Sequence, residues 1–218
     1  AYADLGLVVT DEQHRFGVKQ RQALESKGKS PHVLIMTATP IPRTMALSVY
    51  GDLDVSFIKS MPPGRHPVKT YVVGSHMLQR IFRFMKKEME SGHQAYVVCP
   101  LVEQSEKQDL AAAVSVYENL RDHVFPQFGV GLVHGRMKNA EKEQVMEDFR
   151  KGKFKLLVAT SVIEVGVNVP DATVMFVYGA DRFGLSQLHQ LRGRVGRGKE
   201  QAYCCLLYTS PSPRDRTR

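Results

Sequence analysis

Short apolar runs recur along the chain at intervals that leave room for a helix between many of them. They predict strands at Leu5–Val9, Val33–Met36, Val55–Ile58, Val68–Val73, Ala95–Cys99, Val130–Val133, Lys155–Ala159, Val174–Val177 and Ala202–Leu207. Several of these runs are apolar throughout rather than alternating, which is the pattern of strands buried on both faces. Between them lie amphipathic stretches of helix length. Residues 76–91 stop before Gly92, and residues 106–123 follow Ser105, with Gln108 at the capping-box position. Residues 140–151 follow Asn139 and stop before Gly152. Alternating short strands and helices predict an α/β protein with a mostly parallel sheet.

The segment Lys59 to Pro67 interrupts this rhythm with three prolines and a glycine in nine residues, the composition of a linker. It predicts a boundary: an incomplete α/β domain over 1–60, a linker over 61–67 and a domain of ordinary size over 68–207. Residues 208–218 turn abruptly to Ser, Pro and Arg and are expected to be disordered, as a basic nucleic-acid arm or a non-native extension.

Composition narrows the function classes. A hydrophobic content of 43% in 218 residues supports a buried core. No stretch approaches the roughly 18 apolar residues of a membrane span. A net charge of +8 favours a polyanionic partner. The charge is concentrated: Asp181 to Lys199 holds five cations against one carboxylate. Three cysteines, Cys99 and the adjacent Cys204 and Cys205, make neither a disulfide framework nor a zinc cluster. They are expected as reduced thiols of a cytoplasmic protein.

Four stretches carry candidate chemistry. Thr10-Asp11-Glu12-Gln13-His14 follows an expected strand, and ligands of parallel sheets sit beyond the carboxyl ends of strands. One of two adjacent carboxylates there can hold Mg²⁺ while the other orients water; a charged surface turn is the alternative. Thr37-Ala38-Thr39-Pro40 places hydroxyls at the next strand end, or is a plain strand-to-helix turn. Residues 158–170 open with two hydroxyls and contain Gly166, where backbone can approach a ligand, or form a buried strand entering a turn. Gln190-Leu191-Arg192-Gly193-Arg194-Val195-Gly196-Arg197 is the most specific. Arg194 and Arg197 share one face if the segment is helical, Gly193 and Gly196 let that face approach another domain, and guanidinium groups suit the charge on a transferred phosphate. A generic Gly-Arg nucleic-acid tract is the alternative.

In this order, the four stretches resemble motifs II, III, V and VI of the superfamily-two helicases. The surrounding text, "DEQHRFGVKQR", "LIMTATPIPRT", "MPPGRHPV", "GLVHGRM" and "FGLSQLHQLRGRVGRG", resembles the RecG family of DNA helicases over residues 1–207. The resemblance implies two RecA-like domains, the first incomplete. It implies ATP and Mg²⁺ as cofactors: Asp11 near the metal, Glu12 activating water, Gln13 and His14 coupling the nucleotide to DNA, Gly166 near the ribose, and Gln190 beside the arginine fingers Arg194 and Arg197. Arg43, Thr44, His134, Gly135 and Thr160 match segments that line the DNA path. The implied partner is branched or duplex DNA, at stalled replication forks and Holliday junctions, for a monomeric enzyme. Asn168 stands where Asp is frequent, so no catalytic role passes to it. Gly28-Lys29-Ser30 imitates the end of a phosphate loop, but Ala23 stands where the earlier glycine is required. The family's phosphate loop is expected upstream of Ala1, and the isolated chain is expected to bind ATP poorly and not hydrolyse it. A translocase related to the transcription-repair coupling factor, a non-enzymatic nucleic-acid module and an RNA helicase of the D-E-A-D type are competing readings. Gln13, the Pro-Pro-Gly-Arg linker, His14 and the double arginine motif weigh against them.

Overall fold

A computed structural model describes residues 5–11, 31–37, 54–58, 60, 64–100, 106–160 and 169–209, with only the backbone of 106–109 described. The chain divides into two compact units, Ala1–Lys59 and Ser60–Arg218.

In the first unit, β1 (Leu7–Asp11) and β2 (His32–Met36) pair in parallel, Leu7 opposite His32 and Asp11 opposite Met36. The strand expected over Val55–Ile58 is not formed. Residues 54–58 are irregular and exposed, Ile58 at 95%. An apolar run makes a strand only where a ladder partner and a covering layer exist, and no partner strand is described for this one. The residues after Asp11 and Thr37, including Glu12, His14, Arg43 and Thr44, lie outside the described residues.

The second unit carries six strands: β3 (Lys69–Gly74), β4 (Gln94–Cys99), β5 (Val130–Val133), β6 (Leu156–Thr160), β7 (Ala172–Val177) and β8 (Tyr203–Tyr208). All five pairings are parallel, in the order β3-β8-β7-β4-β6-β5. Parallel neighbours need crossovers, and the helices supply them. They are α1 (Leu78–Glu90), α2 (Glu106–Asn119, continued by a π-helical turn to Val124), α3 (Asn139–Arg150) and α4 (Leu185–Arg192).

The period of two along each strand sorts the core into two layers. Ala95, Val97 and Cys99 of β4 join Leu156, Val158, Val174 and Phe176 under α1, which offers Ile81, Phe82, Met85 and Met89 at helical spacing. Tyr96 and Val98 face the other way, with Leu157, Ala159, Met175 and Val177, under Met146 and Phe149 of α3 and Leu188 and Leu191 of α4. Every residue of β4, β6 and β7 is buried, as their largely apolar sequences require, with Gln94, Thr160 and Thr173 the polar members. One buried polar side chain ties the layers together: Gln94 Nε2 donates to Phe149 O at 2.6 Å and to Phe154 O at 3.1 Å.

Helix ends follow local chemistry. α1 and α3 each end in a glycine with positive φ, Gly92 (95°) and Gly152 (72°), whose amides bond Met89 O and Phe149 O. At the start of α3 the cap is Lys138, one residue before the expected Asn139. The carboxylate of Glu141 accepts from Lys138 N at 3.0 Å, so the acidic residue three positions on fixes the start and Asn139 enters the first turn.

Candidate functional site

The described candidate residues of the second unit fall on opposite edges of the sheet. At the carboxyl edge, His134 and Gly135 follow β5 directly, and Thr160 is the last residue of β6. The register pairs Val133 with Ala159, so His134 and Thr160 come level on adjacent strands. Thr160 is only 2% exposed, while Gly135 is exposed and His134 half-buried. Lys142, from the first turns of α3, donates from Nζ to Gly135 O at 2.8 Å. Burial lowers the His134 pKa from its ordinary value, Lys142 and Arg136 lower it further, and Glu141 opposes them. Its Nδ1 is buried and has no hydrogen-bond partner among the described residues. This edge is therefore cationic through Arg136 and Lys142, with a neutral imidazole between them.

At the amino edge the chain turns on a pair of glycines. α4 leaves the carboxyl edge after Gly184 and spans about 12 Å in eight residues before it stops. The helix ends at Arg192, so Arg194 and Arg197 do not lie on a helical face; this corrects the helical expectation. Gly193 N bonds His189 O at 3.1 Å, and Gly196 then adopts φ +71°, a conformation that costs other residues about 1–2 kcal/mol. Gly196 packs closely within its own unit. A Cβ there would stand 3.1 Å from Ala202 Cβ and from Val68 Cγ2, at the starts of β8 and β3. Gly196 N also approaches Ala172 O, at the start of β7, at 3.4 Å. The turn is thus seated on the amino ends of three strands.

That seat gathers cations. Arg197 Nε donates to Gly193 O at 3.2 Å, which fixes the stem and leaves the terminal nitrogens to project. Burial holds the Arg197 pKa below its ordinary value, and Arg194 and Arg65 lower it further; Tyr96 acts the other way. Tyr96, 2% exposed, is pushed up to about 12 by burial against the opposing pull of Arg194 and Arg197. It stays protonated at neutral pH and brings no negative charge. Among the described residues no ion pair involves Arg65, Arg194 or Arg197. Three guanidinium groups brought together with no ion pair to a carboxylate among the described residues are donors suited to a multiply charged anion. Gln190 lies half-buried in α4, one turn before this cluster.

In the first unit, Asp11 is the last residue of β1 and is exposed. It offers hard oxygen donors at the carboxyl end of a parallel strand. That suits Mg²⁺, which takes one or two carboxylates and completes its shell with water and substrate phosphate. Its intended companions Glu12 and His14, and Gly166, lie outside the described residues. Sequence reading missed Arg65 and Tyr96. Arg65 was hidden by its place in a proline-rich linker, and Tyr96 by the apolar run around it.

Residues 75–199 match the family described as helicase conserved C-terminal domain. The ATP-dependent DNA helicase RecG of Bacillus subtilis is 56% identical over 203 residues, which cover 93% of this chain and 30% of that protein. That of Streptococcus pneumoniae is 53% identical over 219 residues, covering 100% of this chain and 33% of that protein. The chain therefore spans about a third of the length of these relatives. A solved structure of RecG bound to a three-way DNA junction has a TM-score of 0.75 at 45% identity; it covers 100% of this chain and 28% of its own.

Proposed function

The chain belongs to the helicase conserved C-terminal domain family, and on that footing we propose that it forms part of the motor of an ATP-driven DNA helicase that remodels branched DNA. The observation that carries the reading is the pair of opposed edges in the second unit. One is an arginine turn with no ion pair among the described residues, suited to polyphosphate, and the other a basic rim suited to a nucleic-acid backbone. A relative whose solved structure holds a three-way DNA junction supports branched DNA as the substrate.

In this reading residues 1–60 are the end of one RecA-like domain and residues 68–207 the whole of the second. Arg194 and Arg197 bind the terminal phosphates of ATP. They neutralise charge that grows on the γ-phosphoryl group as it leaves, so they contribute more in the transition state than in the ground state. Gln190 and Gly166 complete the nucleotide contacts. Asp11 and His14 serve the same nucleotide, with Asp11 holding Mg²⁺ through water and Glu12 orienting the attacking water. Mg²⁺, when bound, supplies Lewis-acid polarisation of the phosphate oxygens.

His134, Gly135 and Thr160, with Arg43 and Thr44, follow the DNA backbone, where phosphate contacts position the strand without reading its sequence. α4 joins the two edges as one rigid segment, so phosphate engaged at one end of it is felt at the other. No helix among the described residues is long and apolar enough to cross a membrane. As a DNA-processing motor, the protein is proposed to work in the cytoplasm, as a monomer.

The test is phosphate release and junction unwinding by the full-length protein that carries this chain. Wild type should hydrolyse ATP faster with a forked substrate, and Glu12→Gln should abolish turnover while retaining ATP. Full turnover by Glu12→Gln contradicts the proposal. The 218 residues contain no phosphate loop, so the isolated chain should show no sustained hydrolysis; turnover that disappears with Glu12→Gln would refute that expectation.

A further inference from the structure

Arg65 lies in the linker stretch "MPPGRHPV" and in none of the four motif stretches to which site residues were assigned, yet it meets the arginine turn directly. Its Nε donates to Gly196 O at 2.9 Å, across 131 positions of sequence. The acceptor is the carbonyl of the glycine of the turn held at positive φ. The peptide so anchored leads straight into Arg197.

Two further bonds fasten the same piece of linker to the same place. Gln201 Nε2 donates to Pro67 O at 2.8 Å, and Lys69 N to Ala202 O at 3.0 Å. Val68, between them, supplies one of the two side-chain atoms that close on Gly196. Residues 65–69 and the turn 193–198 therefore behave as one seat at the amino edge of the sheet.

Arginine is an unexpected choice for that bond. An Asn, Gln or Ser could satisfy a carbonyl without bringing a third cation beside Arg194 and Arg197. Arg65 costs electrostatic repulsion in the empty protein, and that repulsion is relieved when a polyanion arrives.

We propose that Arg65 is a positioning residue for ATP hydrolysis: its bond to Gly196 O holds the turn so that Arg197 is aimed at the terminal phosphate. The inference rests on the reading of Arg194 and Arg197 as phosphate ligands. It adds that the linker ahead of β3 controls how well they work.

Because Arg65 acts through Arg197, its loss should appear in the chemical step. In the full-length protein with saturating forked DNA, Arg65→Ala should lower kcat for ATP hydrolysis roughly 10- to 100-fold and change KM for ATP less than about 3-fold. Arg65→Lys keeps the charge and can reach the carbonyl, and should recover part of kcat. Arg197→Ala should lower kcat at least as much, and Arg65→Ala combined with Arg197→Ala should be no slower than Arg197→Ala alone. A residue that merely stabilises the fold would multiply with Arg197→Ala instead.

If Arg197→Ala leaves kcat intact, the phosphate reading itself fails. If Arg197→Ala is slow while both Arg65 variants hydrolyse at the wild-type rate, or their losses multiply with that of Arg197→Ala, only the Arg65 inference fails. Should Arg65→Ala not fold, Arg65→Met, which keeps the stem and removes the donor, carries the test: a wild-type kcat, or a loss that multiplies in full with that of Arg197→Ala, overturns the proposal.

Discussion

Replacing Gly196 by alanine probes the arginine turn with a single methyl group. Three effects compete. The native φ of +71° costs a residue with a Cβ about 1–2 kcal/mol. The new methyl would lie 3.1 Å from Ala202 Cβ and from Val68 Cγ2, closer than ordinary packing, and relief by small shifts adds about 1 kcal/mol. Against these, alanine restricts the unfolded chain and returns about 0.4–1 kcal/mol. The net expectation is a destabilisation of about 1–2 kcal/mol.

Gly193 three residues earlier is the control. Its φ is −69°, and its Cβ would meet only helical carbonyls, at 3.4 and 3.6 Å, so Gly193→Ala should be neutral or slightly stabilising. The chain has no tryptophan, so urea unfolding is best followed by far-ultraviolet circular dichroism. In the full-length protein Gly196→Ala should also slow ATP hydrolysis more than Gly193→Ala does. Equal stability for both variants, or a loss confined to Gly193→Ala, would refute the argument from backbone geometry.

Other consequences follow from the same packing. Gln94→Met keeps the volume but removes the side-chain donor to Phe154 O, while Phe149 O keeps the Gly152 amide; at about 1–3 kcal/mol for one unsatisfied group, urea unfolding should report a loss of about 1–3 kcal/mol. Burial raises Cys99 and Cys204 from 9.0 to about 12 and Cys205 to about 11. Raised acids favour the folded state below their unfolded pKa, and that advantage is lost as pH climbs toward the folded value. The melting temperature should therefore fall progressively from about pH 9 upward, and all three thiols should resist iodoacetamide at pH 8 until the chain unfolds. Arg136→Ala at the carboxyl edge should reduce the slope of log affinity against log salt for forked DNA by about 0.9, with no change in structural preference.

Much of the fold can be read from spacing alone, because parallel strands buried on both faces leave largely apolar runs such as those of β4, β6 and β7. The same rule misleads at Val55–Ile58, where the run is apolar but has no described layer to bury it. Helix α4 escaped because Leu185–Arg192 is short and its polar residues blur the period. The motif it introduces was visible as Arg194 and Arg197, but a shared helical face required a helix through both, and α4 stops at Arg192. Their real arrangement depends on the positive φ of Gly196 and on contacts with Val68 and Ala202, which are non-local and leave no periodic signal. Arg65 is the extreme case, since its partner lies 131 positions away.

The central claim is that one sheet divides two tasks between its edges, phosphate at the amino edge and DNA at the carboxyl edge. Measuring ATP turnover and forked-DNA affinity side by side, for Arg197→Ala and Arg136→Ala in the full-length protein, tests it most directly. The account predicts that Arg197→Ala loses at least about 100-fold in kcat at unchanged DNA affinity, on the scale of other phosphate-stabilising arginines. It predicts that Arg136→Ala weakens DNA binding while kcat at saturating DNA stays near wild type. Loss of DNA affinity in Arg197→Ala with hydrolysis intact, or equal loss of both properties in both variants, would contradict it.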